Sequence, residues 1–142
     1  NQVKESSYKG MFITAVIGKF NLLTKEVEFV NFGHESIMCF NNDDNLFSYI
    51  KADRPPLGLL HIKDSSVIKT SKINLKNKKM FIYTDGVTEG YIDGEQEFTV
   101  KGVEKDILKN SSLTIKEIID SIVNKLNNRD NLRDDITIMG LQ

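Results

Sequence analysis

Apolar positions along the chain fall into short runs divided by polar clusters, and their spacing shifts from strand-like to helix-like toward the C-terminus. Residues 11–20 (MFITAVIGKF) form a nearly continuous apolar stretch rich in β-branched and aromatic side chains, which predicts a strand buried on both faces and central in a sheet. Asn21 to Lys25 supply a turn, and the run from Glu26 to Phe32 begins with alternation and stops at Gly33, so the two stretches predict a β-hairpin. Ser36 to Phe40 and Leu46 to Lys51 read as further strands on either side of the polar loop Asn41 to Asn45. Both prolines sit in Arg54-Pro55-Pro56-Leu57-Gly58, a loop made rigid by their fixed φ. Val67 to Leu75 alternate loosely, with Val67, Ile73 and Leu75 on one face. Met80 to Tyr83 form a short buried strand that ends abruptly on Asp85-Gly86, where a positive φ at the glycine would make a tight turn and hold the carboxylate at the strand's end.

Beyond that turn the period changes. Tyr91 to Val100 contain the turn signal Asp93-Gly94 and read as irregular, and a short helix is expected from Gly102 to Lys109. A clearer helix follows: Thr114 with Glu117 three residues later makes a capping box, and Ile115, Ile118, Ile119, Ile122, Val123 and Leu126 trace one apolar face. The chain closes on the apolar strand Ile136 to Leu141, introduced by Arg133-Asp134-Asp135. Strands, then helices, then a closing strand predict an α+β fold with a largely antiparallel β-sheet and packed helices.

The length of 142 residues suits a single domain spanning 1–142. Nineteen basic residues against twenty acidic ones, with no long block of either sign, argue against a nucleic-acid surface. The one cysteine, Cys39, lies in the apolar context Ile37-Met38-Cys39-Phe40 and reads as a small core residue of a cytoplasmic protein. No run approaches membrane-spanning length, and no signal-peptide pattern opens the chain. The first residue is Asn1 rather than a methionine, and a polar lead runs straight into the first apolar stretch, so a fragment of a longer protein is expected.

If the strands ending at Tyr83 and beginning at Ile136 are antiparallel neighbours, one sheet edge collects Asp85, Asp134 and Asp135. Three readings are open to such carboxylates. Aspartates cap turns and strand ends by accepting local backbone N–H groups. Converging carboxylates bind hard cations such as Mg²⁺ or Mn²⁺, which lower the pKa of a water for attack on phosphorus. A covalent aspartyl-phosphate mechanism of the haloacid-dehalogenase kind needs a second aspartate two positions away, and Tyr83 and Val87 stand there instead.

Five motifs carry a family resemblance: Met11-Phe12-Ile13-Thr14-Ala15, Asn31-Phe32-Gly33-His34, Pro56-Leu57-Gly58, Tyr83-Thr84-Asp85-Gly86-Val87-Thr88-Glu89 and Asp134-Asp135-Ile136-Thr137. In that order they resemble the C-terminal half of PPM-type (protein phosphatase 2C-like) serine/threonine phosphatases, in their bacterial SpoIIE/RsbU-like branch. The resemblance implies part of an α-β-β-α sandwich with a two-metal Mn²⁺ or Mg²⁺ site at one edge. It makes Asp85 and Asp134 metal ligands and catalytic residues, with Asp135 their neighbour. It implies a phosphorylated protein substrate, such as an anti-sigma-factor antagonist, and an upstream sensor or regulatory domain. The family's upstream Gly-Asp-x-x-Asp-like and Asp-x-Ser-Gly-Lys-Gly-like segments have no match here, so the fragment alone is expected to be inactive and to self-associate. The alternative is a degenerate phosphatase-like module that binds a partner without catalysis. His34 is expected in a structural turn, His61 is incidental, and Arg54 is a solvated cation.

Overall fold

A computed structural model describes residues 11–59, 69–92, 96–127 and 135–142, and these divide into two compact units. The first takes its described residues from Asn1–Ser36 and Lys51–Lys76, the second from Ile37–Ile50 and Asn77–Gln142.

In the first unit, β1 (Ala15–Asn21) and β2 (Glu26–Phe32) form the expected hairpin, in register from Ala15↔Phe32 to Asn21↔Glu26. β5 (Ser71–Asn74) pairs antiparallel with the other side of β2. The sheet order β1-β2-β5 places β1 at an edge, correcting the central position expected of residues 11–20. Ile17 in β1 is 58% exposed, whereas Phe29 opposite Gly18 is buried. Continuous apolarity reports side-chain type and not the number of strand neighbours, and β2 is the strand that carries the buried side chains here. Val67 lies outside the described residues, but the remainder of its stretch alternates as expected, with Leu75 buried and Lys72 and Asn74 exposed. At the end of β2, Gly33 has φ 65° and packs so closely that a Cβ would sit 2.5 Å from Pro56 Cγ. Asn31 closes this turn, its Oδ1 accepting the His34 N–H at 2.8 Å and its Nδ2 donating to the Glu35 carbonyl at 3.1 Å.

The second unit is a four-stranded antiparallel sheet in the order β4-β3-β6-β9, formed by β3 (Ile37–Asn41), β4 (Leu46–Ile50), β6 (Lys78–Tyr83) and β9 (Ile138–Leu141). Two longer helices accompany it, α2 (Thr99–Lys109) and α3 (Ile115–Asn127). α3 begins at the predicted capping box: Thr114 N–H and Oγ1 both donate to Glu117 Oε2, at 2.9 and 2.7 Å, and Glu117 N–H donates back to Thr114 Oγ1 at 3.3 Å. Its apolar face buries Ile118, Ile122 and Leu126 in one cluster with Phe40 and Phe81 of the sheet and Ile107 of α2. Cys39 is buried as expected, and burial pushes its thiol up to about 11.

Two local expectations change. Tyr91–Ile92 and Gln96–Glu97 pair as a small hairpin, β7 and β8, and α2 begins at Thr99, earlier than Gly102. Gly86 does not occupy a positive-φ turn: the positive-φ glycines among the described residues are Gly33 and Gly58, and Gly86 belongs to a one-turn helix, α1 (Asp85–Thr88). The chain turns by αR geometry, which any residue adopts.

Candidate metal-binding edge

β6 runs between β3 and β9, so its C-terminal end meets the start of β9. The register Tyr83↔Ile138 continues one residue further, where Thr84 N–H donates to the Thr137 carbonyl at 3.0 Å. The Thr84 hydroxyl then fastens the two segments: Oγ1 accepts the Thr137 N–H at 3.0 Å and donates to the Asp135 carbonyl at 3.2 Å. Thr84 occupies the N-cap of α1 without capping it, because its hydroxyl is turned across to β9. Asp85 follows immediately and is exposed, and among the described residues its carboxylate accepts one hydrogen bond, from Gly86 N–H at 3.0 Å. The Asp85 carbonyl accepts Glu89 N–H at 2.8 Å and Thr88 Oγ1 at 3.2 Å, which fixes the one-turn helix.

The structure thus brings Asp85 and the Asp135 backbone to one sheet edge. Asp134 and His61 lie outside the described residues. His34 and Arg54 belong to the first unit: His34 Nδ1 lies 3.2 Å from Thr14 Oγ1, and Arg54 Nη1 donates to the Asp53 carbonyl at 3.1 Å. Among the described residues no group of three or more His, Cys, Asp or Glu side chains forms a metal cage. Asp85 nevertheless suits a hard cation, being an accessible carboxylate whose one hydrogen bond among the described residues is to its neighbour's amide. Mg²⁺-type ions are held by one or two carboxylates with waters completing the shell.

α1 is braced from behind. Val87 is fully buried, Phe98 N–H donates to the Gly90 carbonyl at 2.6 Å, and a Cβ on Gly90 would meet Leu126 Cδ2 at 2.6 Å and the Gly86 carbonyl oxygen at 2.9 Å. No side chain fits between the exit of α1 and the end of α3. At the other end of β6, buried Lys79 donates to Asn42 Oδ1 at 2.9 Å and to the Ser111 carbonyl at 2.8 Å, and desolvation holds its pKa below the ordinary lysine value. Sequence reasoning missed both anchors. For Thr84 a signal existed, a hydroxyl residue directly before Asp85 with a second in Asp-Asp-Ile-Thr; for Lys79, set among three other lysines, there was none.

This arrangement of antiparallel sheets and helices is the fold of PP2C phosphatase domains. It superposes on the SiaA-PP2C domain of Pseudomonas aeruginosa with TM-score 0.73 at 16% identity, covering 99% of this chain and 56% of that one. RsbX in complex with magnesium matches with TM-score 0.59 at 21% identity (89% and 54% covered), and the manganese-presoaked phosphatase domain of SpoIIE from Bacillus subtilis with 0.62 at 16% (91% and 55% covered). The whole chain, residues 1–142, matches the family model described as Stage II sporulation protein E (SpoIIE), and it belongs to that family. It spans about half the length of these solved chains. No curated protein matches it. Among the described residues no helix is long and apolar enough to cross a membrane.

Proposed function

We propose that this chain is the C-terminal part of a metal-dependent serine/threonine phosphoprotein phosphatase domain, with Asp85 and Asp134 as ligands for Mn²⁺ or Mg²⁺. The observation that carries this reading is the fastening of β6 to β9 by Thr84, which holds Asp85 beside the Asp135 backbone at one exposed edge. A bound ion supplies a water of lowered pKa and neutralises charge on the phosphoryl oxygens. The chain's own contribution is positional. α1 fixes the Asp85 backbone, the β6–β9 pairing fixes the Asp135 segment, and the braced exit of α1 resists displacement of the carboxylate. Of the similar structures, RsbX is in complex with magnesium and the SpoIIE phosphatase domain was presoaked with manganese, which supports either ion.

The substrate on this reading is a phosphoserine or phosphothreonine of a cytoplasmic regulatory protein such as an anti-sigma-factor antagonist, with an upstream sensor or regulatory domain setting the activity. The test is Mn²⁺-dependent hydrolysis of a phosphoserine peptide by the full-length protein and by its Asp85→Asn variant. A loss of at least about a hundredfold in kcat, with folding intact, is expected from removing a metal ligand. Equal activity in the two proteins would remove Asp85 from the site, and inactivity of both would leave the non-catalytic binding module.

A further inference from the structure

α2 carries three lysines and two acidic residues. Its acidic side chains are spent within the second unit. Glu104 accepts the Tyr49 hydroxyl at 2.5 Å, and Asp106, 3% exposed, is paired with Lys125 of α3 and accepts Ser121 Oγ at 3.1 Å. Lys101, Lys105 and Lys109 lie four residues apart, on one face of the helix, all exposed and without an ion pair or hydrogen bond among the described residues. Like charges at this spacing repel and weaken a helix, so the stripe is a local cost that an anionic ligand would relieve. All three line a cavity of about 550 Å³, together with Glu97, Phe98, Thr99 and the Asp106–Lys125 pair, so four cations and two carboxylates line it. At the head of this groove Thr99 holds φ 56°, a left-handed backbone that a β-branched residue seldom adopts and that concentrates at functional positions.

We propose that this groove docks an acidic peptide segment of a protein partner. Its volume falls in the range of ligand sites and suits a few extended residues, and its concavity does not suit a membrane surface. With a chain charge of −1, the positive potential is local to this groove and not a general polyanion surface. Phe98, which lines the groove, donates its N–H to the carbonyl of Gly90, five residues after Asp85 in the chain. The groove's use in presenting a phosphorylated substrate rests on the phosphatase reading; the binding itself does not.

The test is fluorescence anisotropy of a fluorescein-labelled ten-residue polyglutamate peptide titrated with the full chain, a readout independent of catalysis. Binding is expected to weaken with salt. It should fall by about tenfold or more in Lys101→Glu/Lys105→Glu/Lys109→Glu and change by less than about twofold in Lys51→Glu/Lys69→Glu/Lys76→Glu, an equal charge change in the first unit. Should the first triple variant not fold, the single Lys105→Ala variant is expected to weaken binding by about threefold. Equal weakening by both triple variants, no weakening by the α2 variant, absence of binding at low salt, or tighter binding of a decathymidine oligonucleotide would each overturn the proposal.

Discussion

The Thr84 hydroxyl ties the acidic edge together. It is both acceptor and donor to a segment 53 and 51 residues away, so it decides whether the end of β6 and the start of β9 stay together. Removing that hydroxyl hands the exposed Thr137 N–H to water and loses both bonds. Thr84→Val is expected to cost about 1 kcal/mol of stability, and Thr84→Ser to recover most of it. Urea unfolding of the three proteins measures this, and a valine variant as stable as the parent would show the hydroxyl to be incidental. The place of Asp85 just past the end of β6 was legible in the sequence because an apolar run ending on a carboxylate is a local pattern. The role of Thr84 was not, because its partner is defined only once two distant strands have paired.

Among the elements, those encoded by local chemistry were read most faithfully. The capping box of α3 needs only Thr114 and Glu117 in register, and the β1–β2 hairpin needs only two β-rich runs and a polar turn. β1 misled because its apolar run does not report that one of its edges is open, and α2 starts earlier than expected at Thr99, a capping-type residue whose Oγ1 accepts the Gly102 N–H at 3.3 Å. Replacing Thr114 by Ala should cost about 1 kcal/mol through loss of the cap. The hydrogen bonds from the Thr114 side chain and backbone hold the Glu117 carboxyl below its ordinary value of 4.5. A carboxylate with a depressed folded pKa contributes stability above its unfolded pKa and loses it as pH falls through the folded value. The stability difference between the protein and Glu117→Gln should therefore be constant above 4.5 and shrink below it; a difference that is flat into more acidic conditions would contradict the cap.

At the scale of the molecule, the acidic edge, the brace behind it and the lysine groove all belong to the second unit, in which a four-stranded sheet carries α2 and α3. The α+β class was legible because strand-period and helix-period segments occupy separate parts of the chain, whereas the division into two units was not, since each unit is assembled from discontinuous stretches. That both acids of α2 are bonded within the unit while its lysines are not, among the described residues, also emerged only with the fold, because it depends on which residues meet Tyr49 and α3. The proposed function turns on Asp85 being a cation ligand, and the most direct measurement is paramagnetic broadening of backbone amide signals on titration with Mn²⁺. The amides of Asp85, Gly86 and Asp135 should broaden first, and this selectivity should vanish in Asp85→Asn. Broadening that begins elsewhere, or that is the same in both proteins, would contradict the account.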